Sequence, residues 1–341
     1  MCPKIWVSTG GRGGILDELA DFCMAAGEYE SAADFYGQMI DMARRLQGSG
    51  DAMADVYRKM ASCLRANGEF DRALSFLQEA EALLKDGSNP LLLAEVLSEK
   101  AWISVRQANY DLAQQDGLRA LELVEDPDRE RAAASALNCL ATVALHRGDL
   151  EKAREIYEGV LAVYRRLGDE DRVARSYNNL GIVAKNQGHW DQALRYQRAA
   201  LHIFRRLGHH LASAAQLNNL GTILFKKGEW DEAHRAWQEA LEIFERQGER
   251  WEITYVHASL GNYYRRVRDG VKAEEHYRQA LELSERNGDV RGRALAIEFL
   301  GSLACDQGAV ARAKELFREG TDIARGIAPR GDLMIEMLRG A

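Results

Sequence analysis

The sequence predicts an all-α chain of about eight helical hairpins, on three observations. An alanine recurs at Ala32, Ala73, Ala113, Ala153, Ala193, Ala233, Ala273 and Ala313, the first interval being 41 residues and the other six 40. A second column of small residues keeps step 12 positions earlier, at Ala20, Ala61, Ala101, Ala141, Gly181, Gly221, Gly261 and Gly301. Only 4 prolines occur in 341 residues, which leaves long stretches free to form uninterrupted helix.

Composition narrows the class. With 28% charged and 46% hydrophobic residues the chain reads as folded rather than disordered. At 341 residues it is long for one globular core, a limit that a repeat array escapes because each repeat packs only on its neighbours. The net charge of −7 gives the whole chain no electrostatic footprint for nucleic acid, so no direct nucleic-acid partner is expected. No apolar run approaches the roughly 20 residues of a membrane span, and the N-terminus lacks the charged start and apolar core of a secretory signal. Cys2, Cys23, Cys63, Cys139 and Cys305 are scattered and form no CxxC pair, which predicts free thiols in a reducing, cytoplasmic setting.

Each repeat reads as two amphipathic helices, A and B. In the sixth, Leu217, Leu220, Gly221 and Leu224 fall on one face of helix A, and Ala233, Trp237, Ala240, Leu241 and Phe244 on one face of helix B. Gly228-Glu229-Trp230-Asp231 lies between them. Glycine can end the first helix in the left-handed conformation, and the acidic residue suits the positive end of the second helix dipole. The same turn appears earlier as Gly27-Glu28-Tyr29-Glu30, Gly68-Glu69-Phe70-Asp71, Gly148-Asp149-Leu150-Glu151 and Gly188-His189-Trp190-Asp191. Repeat seven has Arg268-Asp269-Gly270 instead and repeat eight Gly308-Ala309-Val310, so both turns are expected to be looser and the last repeat to act as a cap. Helix B stops at Gly168, Gly208, Gly248 and Gly288, each closely preceded by arginine. Residues 1–14 are expected to form a flexible leader, 15–325 the repeat array, and 326–341 a tail or capping helix through Leu333-Met334-Ile335-Glu336-Met337-Leu338.

These columns resemble the tetratricopeptide repeat over about residues 15–325. The leucine-small pair of that family is matched by Leu180-Gly181, Leu220-Gly221, Leu260-Gly261 and Leu300-Gly301. Its later aromatic is matched by Tyr36, Tyr157, Trp237, Tyr277 and Phe317, and its later alanine by Ala80, Ala120, Ala200, Ala240 and Ala280. The period of 40 exceeds the family's usual length and the usual proline after helix B is absent. The longer form is similar to that of spindle-orientation adaptors, kinesin light chains and bacterial peptide-sensing regulators. The resemblance implies a right-handed α-solenoid that binds another protein or peptide, with helix A lining the concave face.

By that resemblance the groove positions lie 18, 15, 11, 8 and 7 residues before the marker alanine. Repeat four then contributes Asn138 and Thr142, and repeat five Arg175, Asn178, Lys185 and Asn186. Repeat six contributes Asn218, Thr222 and Lys226, and repeat seven Asn262, Arg265 and Arg266. The same rule places Tyr255 and Ala258 there. No Asp or Glu occurs in this central set, whereas repeats one and eight supply Asp17, Asp21, Glu298 and Asp306. The reading is a groove basic and amide-rich in the middle and acidic at its ends. Asparagine amides can both donate to and accept from a peptide backbone, and the cations favour an acidic segment or a terminal carboxylate.

Other candidate chemistry is weak. Gly10-Gly11-Arg12-Gly13-Gly14 has the look of a phosphate loop but lacks the βαβ context, and the eight histidines, His209-His210 included, show no metal-ligand spacing. Arg330-Gly331-Asp332 matches an adhesion tripeptide and is read as coincidence. No metal, cofactor or catalytic residue is expected. Two alternatives remain. One is a regulator similar to peptide-controlled aspartyl-phosphate phosphatases, disfavoured because those carry a separate N-terminal bundle while repeat one begins near residue 15. The other is a structural solenoid that self-associates through its end repeats.

Overall fold

A computed structural model describes residues 12–46, 49–85, 87, 89–124 and 130–327. The leader up to residue 11, the Arg330-Gly331-Asp332 tripeptide and the apolar run 333–338 lie outside the described residues. Among the described residues there are sixteen helices and no strand. They pair as hairpins in chain order. Repeat one is α1 (Arg12–Ala26) with α2 (Tyr29–Arg45), and repeat two α3 (Gly50–Ala66) with α4 (Phe70–Leu83). Repeat three is α5 (Pro90–Arg106) with α6 (Tyr110–Glu122), and repeat four α7 (Glu130–His146) with α8 (Leu150–Arg166). Repeat five is α9 (Glu170–Asn186) with α10 (Trp190–Arg206), and repeat six α11 (His210–Lys227) with α12 (Trp230–Arg246). Repeat seven is α13 (Trp251–Arg266) with α14 (Gly270–Asn287), and repeat eight α15 (Val290–Asp306) with α16 (Val310–Ile327). Helix α1 thus takes in Arg12, Gly13 and Gly14, three residues that the sequence assigns to the leader.

The chain divides into two compact units, residues 1–172 and 173–341. In the first, Ala32 and Ala73 are buried with Tyr36, Met39, Leu64 and Leu77. In the second, Ala193 and Ala233 are buried with Leu217, Trp237 and Phe244. All eight marker alanines are buried. No described helix is long and apolar enough to cross a membrane.

The hairpin turn has one backbone solution. Gly228 takes φ 88°, its N–H bonds Phe225 O at 3.1 Å, and the Glu229 N–H bonds Leu224 O at 2.9 Å. Repeat seven closes identically although it lacks the glycine. Arg268 sits at φ 66° and the Asp269 N–H reaches Tyr264 O at 2.9 Å. Repeat eight does so through Gly308 at φ 76°. The expected loosening of these two turns is therefore absent, because the two closing hydrogen bonds dictate the backbone whichever residue occupies the position. The stops after helix B follow the same geometry, with Gly168, Gly208, Gly248 and Gly288 all at positive φ.

Candidate functional site

The small column in helix A exists to admit a side chain from helix B. A Cβ placed on Gly221 would stand 2.6 Å from Trp237 Nε1, and one on Gly261 only 2.4 Å from Tyr277 Cε1. The ring therefore crosses helix A where nothing projects from it, and its polar edge reaches the groove side. Tyr36 Oη donates to Asp21 Oδ1 at 3.0 Å and Tyr277 Oη to Asn262 Oδ1 at 2.8 Å, while Tyr157 Oη and Thr142 Oγ1 lie 2.8 Å apart. In repeats five and six the partner is a backbone carbonyl. Gln197 Nε2 donates to Asn178 O at 3.3 Å and Trp237 Nε1 to Asn218 O at 3.2 Å. The marker register thus fixes the rotation of helix A about its axis, and with it which residues face outward.

The expected groove residues divide between the two compact units. Asn138 and Thr142 stand on α7 in the first. Asn138 O accepts from Thr142 Oγ1 at 2.9 Å. Arg175, Asn178, Lys185 and Asn186 stand on α9; Arg175 and Asn186 are exposed. Asn178 Oδ1 accepts from Asn219 Nδ2 at 3.1 Å, so this amide joins repeat five to repeat six. Asn218 is half-buried and its Oδ1 is buried without a hydrogen-bond partner among the described residues. Ala258 is buried against Ala280 and Ala296 and faces no groove.

Six of the residues expected in the central groove come together, Tyr255 among them. Thr222 and Lys226 of α11, with Asn262, Arg265 and Arg266 of α13, line a cavity of about 970 Å³ in the second compact unit. Its far wall is α15, through Arg291, Ala294, Leu295, Glu298, Phe299 and Asp306. Tyr255, Ser259 and Phe225 complete its apolar and hydroxyl lining. The cavity therefore spans repeats six to eight. The two carboxylates that sequence spacing sets apart at an acidic end share this space with Lys226, Arg265, Arg266, Arg268 and Arg291. Arg291 and Arg268 lie 22 and 5 residues before their markers, outside the five offsets, so the spacing rule could not find them.

Not every cation here is available to a ligand. Arg265 Nε is 2.6 Å from Asp306 Oδ2. That hydrogen bond lowers the Asp306 carboxyl and raises the guanidinium. Arg266 lies 4.5 Å over the Trp230 ring. Lys226 and Arg291 are exposed and carry no ion pair among the described residues. Glu298 is half-buried, also without an ion pair among the described residues, and burial raises its pKa. Among the described residues no group of three or more His, Cys, Asp or Glu is placed to hold a metal.

The tetratricopeptide-repeat family profile matches residues 13–86, 131–206 and 183–246, and a second profile of that description matches 256–291. The chain belongs to the tetratricopeptide-repeat family. One curated relative, the Tonsoku-like protein of Drosophila melanogaster, is 33% identical over 73 residues, which is 21% of this chain and 5% of that protein. The tetratricopeptide-repeat array is also similar to solved structures at low identity. The apo quorum sensor NprR of B. thuringiensis superposes with a TM-score of 0.70 at 14% identity, covering 92% of this chain and 87% of that one. A Rap protein complexed with competence and sporulation factor superposes with a TM-score of 0.64 at 16% identity, covering 92% and 98%. At such identities the likeness is one of fold.

Proposed function

We propose that the protein is a binding module of a regulatory system in the cytoplasm, taking an extended segment of another protein, rich in acidic side chains, into the cavity of repeats six to eight. The observation that carries this reading is the open cavity of about 970 Å³, where five cations face two carboxylates and one of those carboxylates is already paired with Arg265. The volume suits a few peptide residues, and the walls mix apolar, amide and cationic groups as peptide sites do. The same proposal takes in Arg175, Asn178, Lys185 and Asn186 of α9, with Asn218, in the second compact unit, and separately Asn138 and Thr142 in the first. Fold similarity to a Rap protein solved with competence and sporulation factor supports a peptide as ligand. Free thiols at Cys23, Cys63, Cys139 and Cys305 support a reducing compartment.

An immobilised random hexapeptide library tests this. The wild-type protein is expected to retain peptides enriched in Asp and Glu. Lys226→Glu with Arg291→Glu should cut retention about tenfold or more, since each reversal places like charge against the ligand. Equal retention by the double variant would remove the cavity from consideration.

A second reading, self-association through an end repeat, is favoured by α1. Ile15, Leu19 and Phe22 lie along one face of it and are 58%, 41% and 70% exposed. Light scattering across concentration separates this reading from peptide binding, which needs no oligomer.

A further inference from the structure

The column 15 residues before the marker carries Asn138, Asn178 and Asn218 in repeats four to six, Ala258 in repeat seven and Glu298 in repeat eight. Glu298 is the one member with a formal charge in these five repeats, and it lines a cavity whose other ionised groups are mostly cationic. The neighbouring carboxylates of α15 differ from it. Asp306 is bonded to Arg265 at 2.6 Å, and Asp289, which caps the helix by accepting from the Gly292 N–H at 2.9 Å, does not line the cavity. Glu298 has neither an ion pair nor a hydrogen bond among the described residues, although it is half-buried. A carboxylate partly withdrawn from water and left without a partner is destabilised, and a cation arriving in the cavity removes that penalty.

We propose that Glu298 determines specificity by receiving a basic group of the ligand, a lysine or arginine side chain, within an otherwise acidic segment. This deepens the proposed function and rests on it. Geometry sets the spacing. Arg291 and Glu298 are seven residues apart on α15, about 10 Å along the helix axis at ~1.5 Å per residue. A peptide in the extended polyproline II conformation advances ~3.1 Å per residue and returns to the same face every third residue, so a basic residue on Glu298 and an acidic one on Arg291 lie about three positions apart. Lys226, on the α11 wall, remains for a further acidic side chain. The ligand class that fits is a short amphoteric segment with one basic anchor flanked by acids, rather than a uniformly acidic run.

The test reads the retained hexapeptides position by position. Wild-type protein should enrich Lys or Arg at one position and Asp or Glu about three positions away. Glu298→Gln, near-isosteric and breaking no hydrogen bond or ion pair among the described residues, should abolish the basic preference, a change of about tenfold or more, while the acidic enrichment persists. Glu298→Lys should replace the basic preference at that position by an acidic one. Melting temperatures of both variants close to wild type confirm that the fold is retained. An unchanged basic preference in Glu298→Gln, or acidic enrichment alone in the wild type, overturns the assignment of Glu298 while leaving the cavity reading standing. No retained peptide at all from the wild type overturns both.

Discussion

Gly261 shows at the scale of one residue how the repeat pattern does its work. Its missing Cβ leaves room for the Tyr277 ring, whose hydroxyl then bonds Asn262 at the cavity wall. Gly261→Ala gains about 1 kcal/mol of helix propensity and forces a contact that costs about 1–3 kcal/mol, so a net loss of about 1 kcal/mol is expected. Repeat two holds Ala61 and Leu77 at the same two positions, both buried. The double variant Gly261→Ala, Tyr277→Leu should therefore be more stable than the sum of its single changes, read by denaturant unfolding. Ala108 gives the opposite case. It occupies the left-handed turn position at φ 58°, where a Cβ is unfavourable. Ala108→Gly should raise stability by about 1 kcal/mol, and a lowered melting temperature would show that the turn is held by something else. The small columns are legible in sequence because a close helix crossing tolerates so few residues. The exception is Ala258, where the spacing rule implies a groove position and packing against Ala280 and Ala296 buries the side chain.

At the scale of helices, a polar seam joins α12, α13 and α14. His257 Nδ1 lies 2.9 Å from His276 Nδ1, and His276 stacks on Tyr264 with ring centroids 5.2 Å apart. His234 Nε2 lies 3.2 Å from Tyr264 Oη, while Lys272 faces the Tyr264 ring and Asp231 faces Tyr263. Burial, then the neighbouring His276, pushes His257 down to about 4. Burial lowers His276 and His234 as well, against Glu275 and Asp231, which act in the opposite direction. An unfolded histidine titrates near 6.5. Between about pH 6.5 and 4 the unfolded chain therefore holds more protons than the folded one, and stability falls as pH falls. His257 contributes on the order of 3 kcal/mol to that loss, and it is complete below its folded pKa. The melting temperature of His257→Gln should accordingly depend less steeply on pH across this window than that of the wild type; parallel curves would count against the seam. Nothing in the sequence spacing discloses these contacts, since His257 and His276 lie 19 positions apart on different helices. The turns are the reverse case. Gly228 and Gly188 announce them directly, and Arg268 conceals one because the closing hydrogen bonds override residue preference.

For the molecule as a whole, the 40-residue register carries the family assignment and the order of the sixteen helices. Local periodicity suffices there, because each hairpin repeats the same contacts. It does not suffice for the cavity. The wall formed by α15 brings Glu298 and Asp306 into the space occupied by Lys226 and Arg265, and which cations remain unpaired follows from contacts between residues about 40 positions apart, such as Arg265 with Asp306. A reading by offsets separates these charges into a basic centre and an acidic end, whereas stacking of successive helices mixes them. The proposed ligand site lies between α11, α13 and α15. Photo-cross-linking with an acidic hexapeptide retained by the wild-type protein addresses it most directly, with benzoylphenylalanine placed either at Ser259, which lines the cavity, or at Arg278 on α14, which does not. Cross-linked peptide is expected from position 259 and none above background from position 278; cross-linking from 278 with none from 259 would contradict a ligand site between these helices.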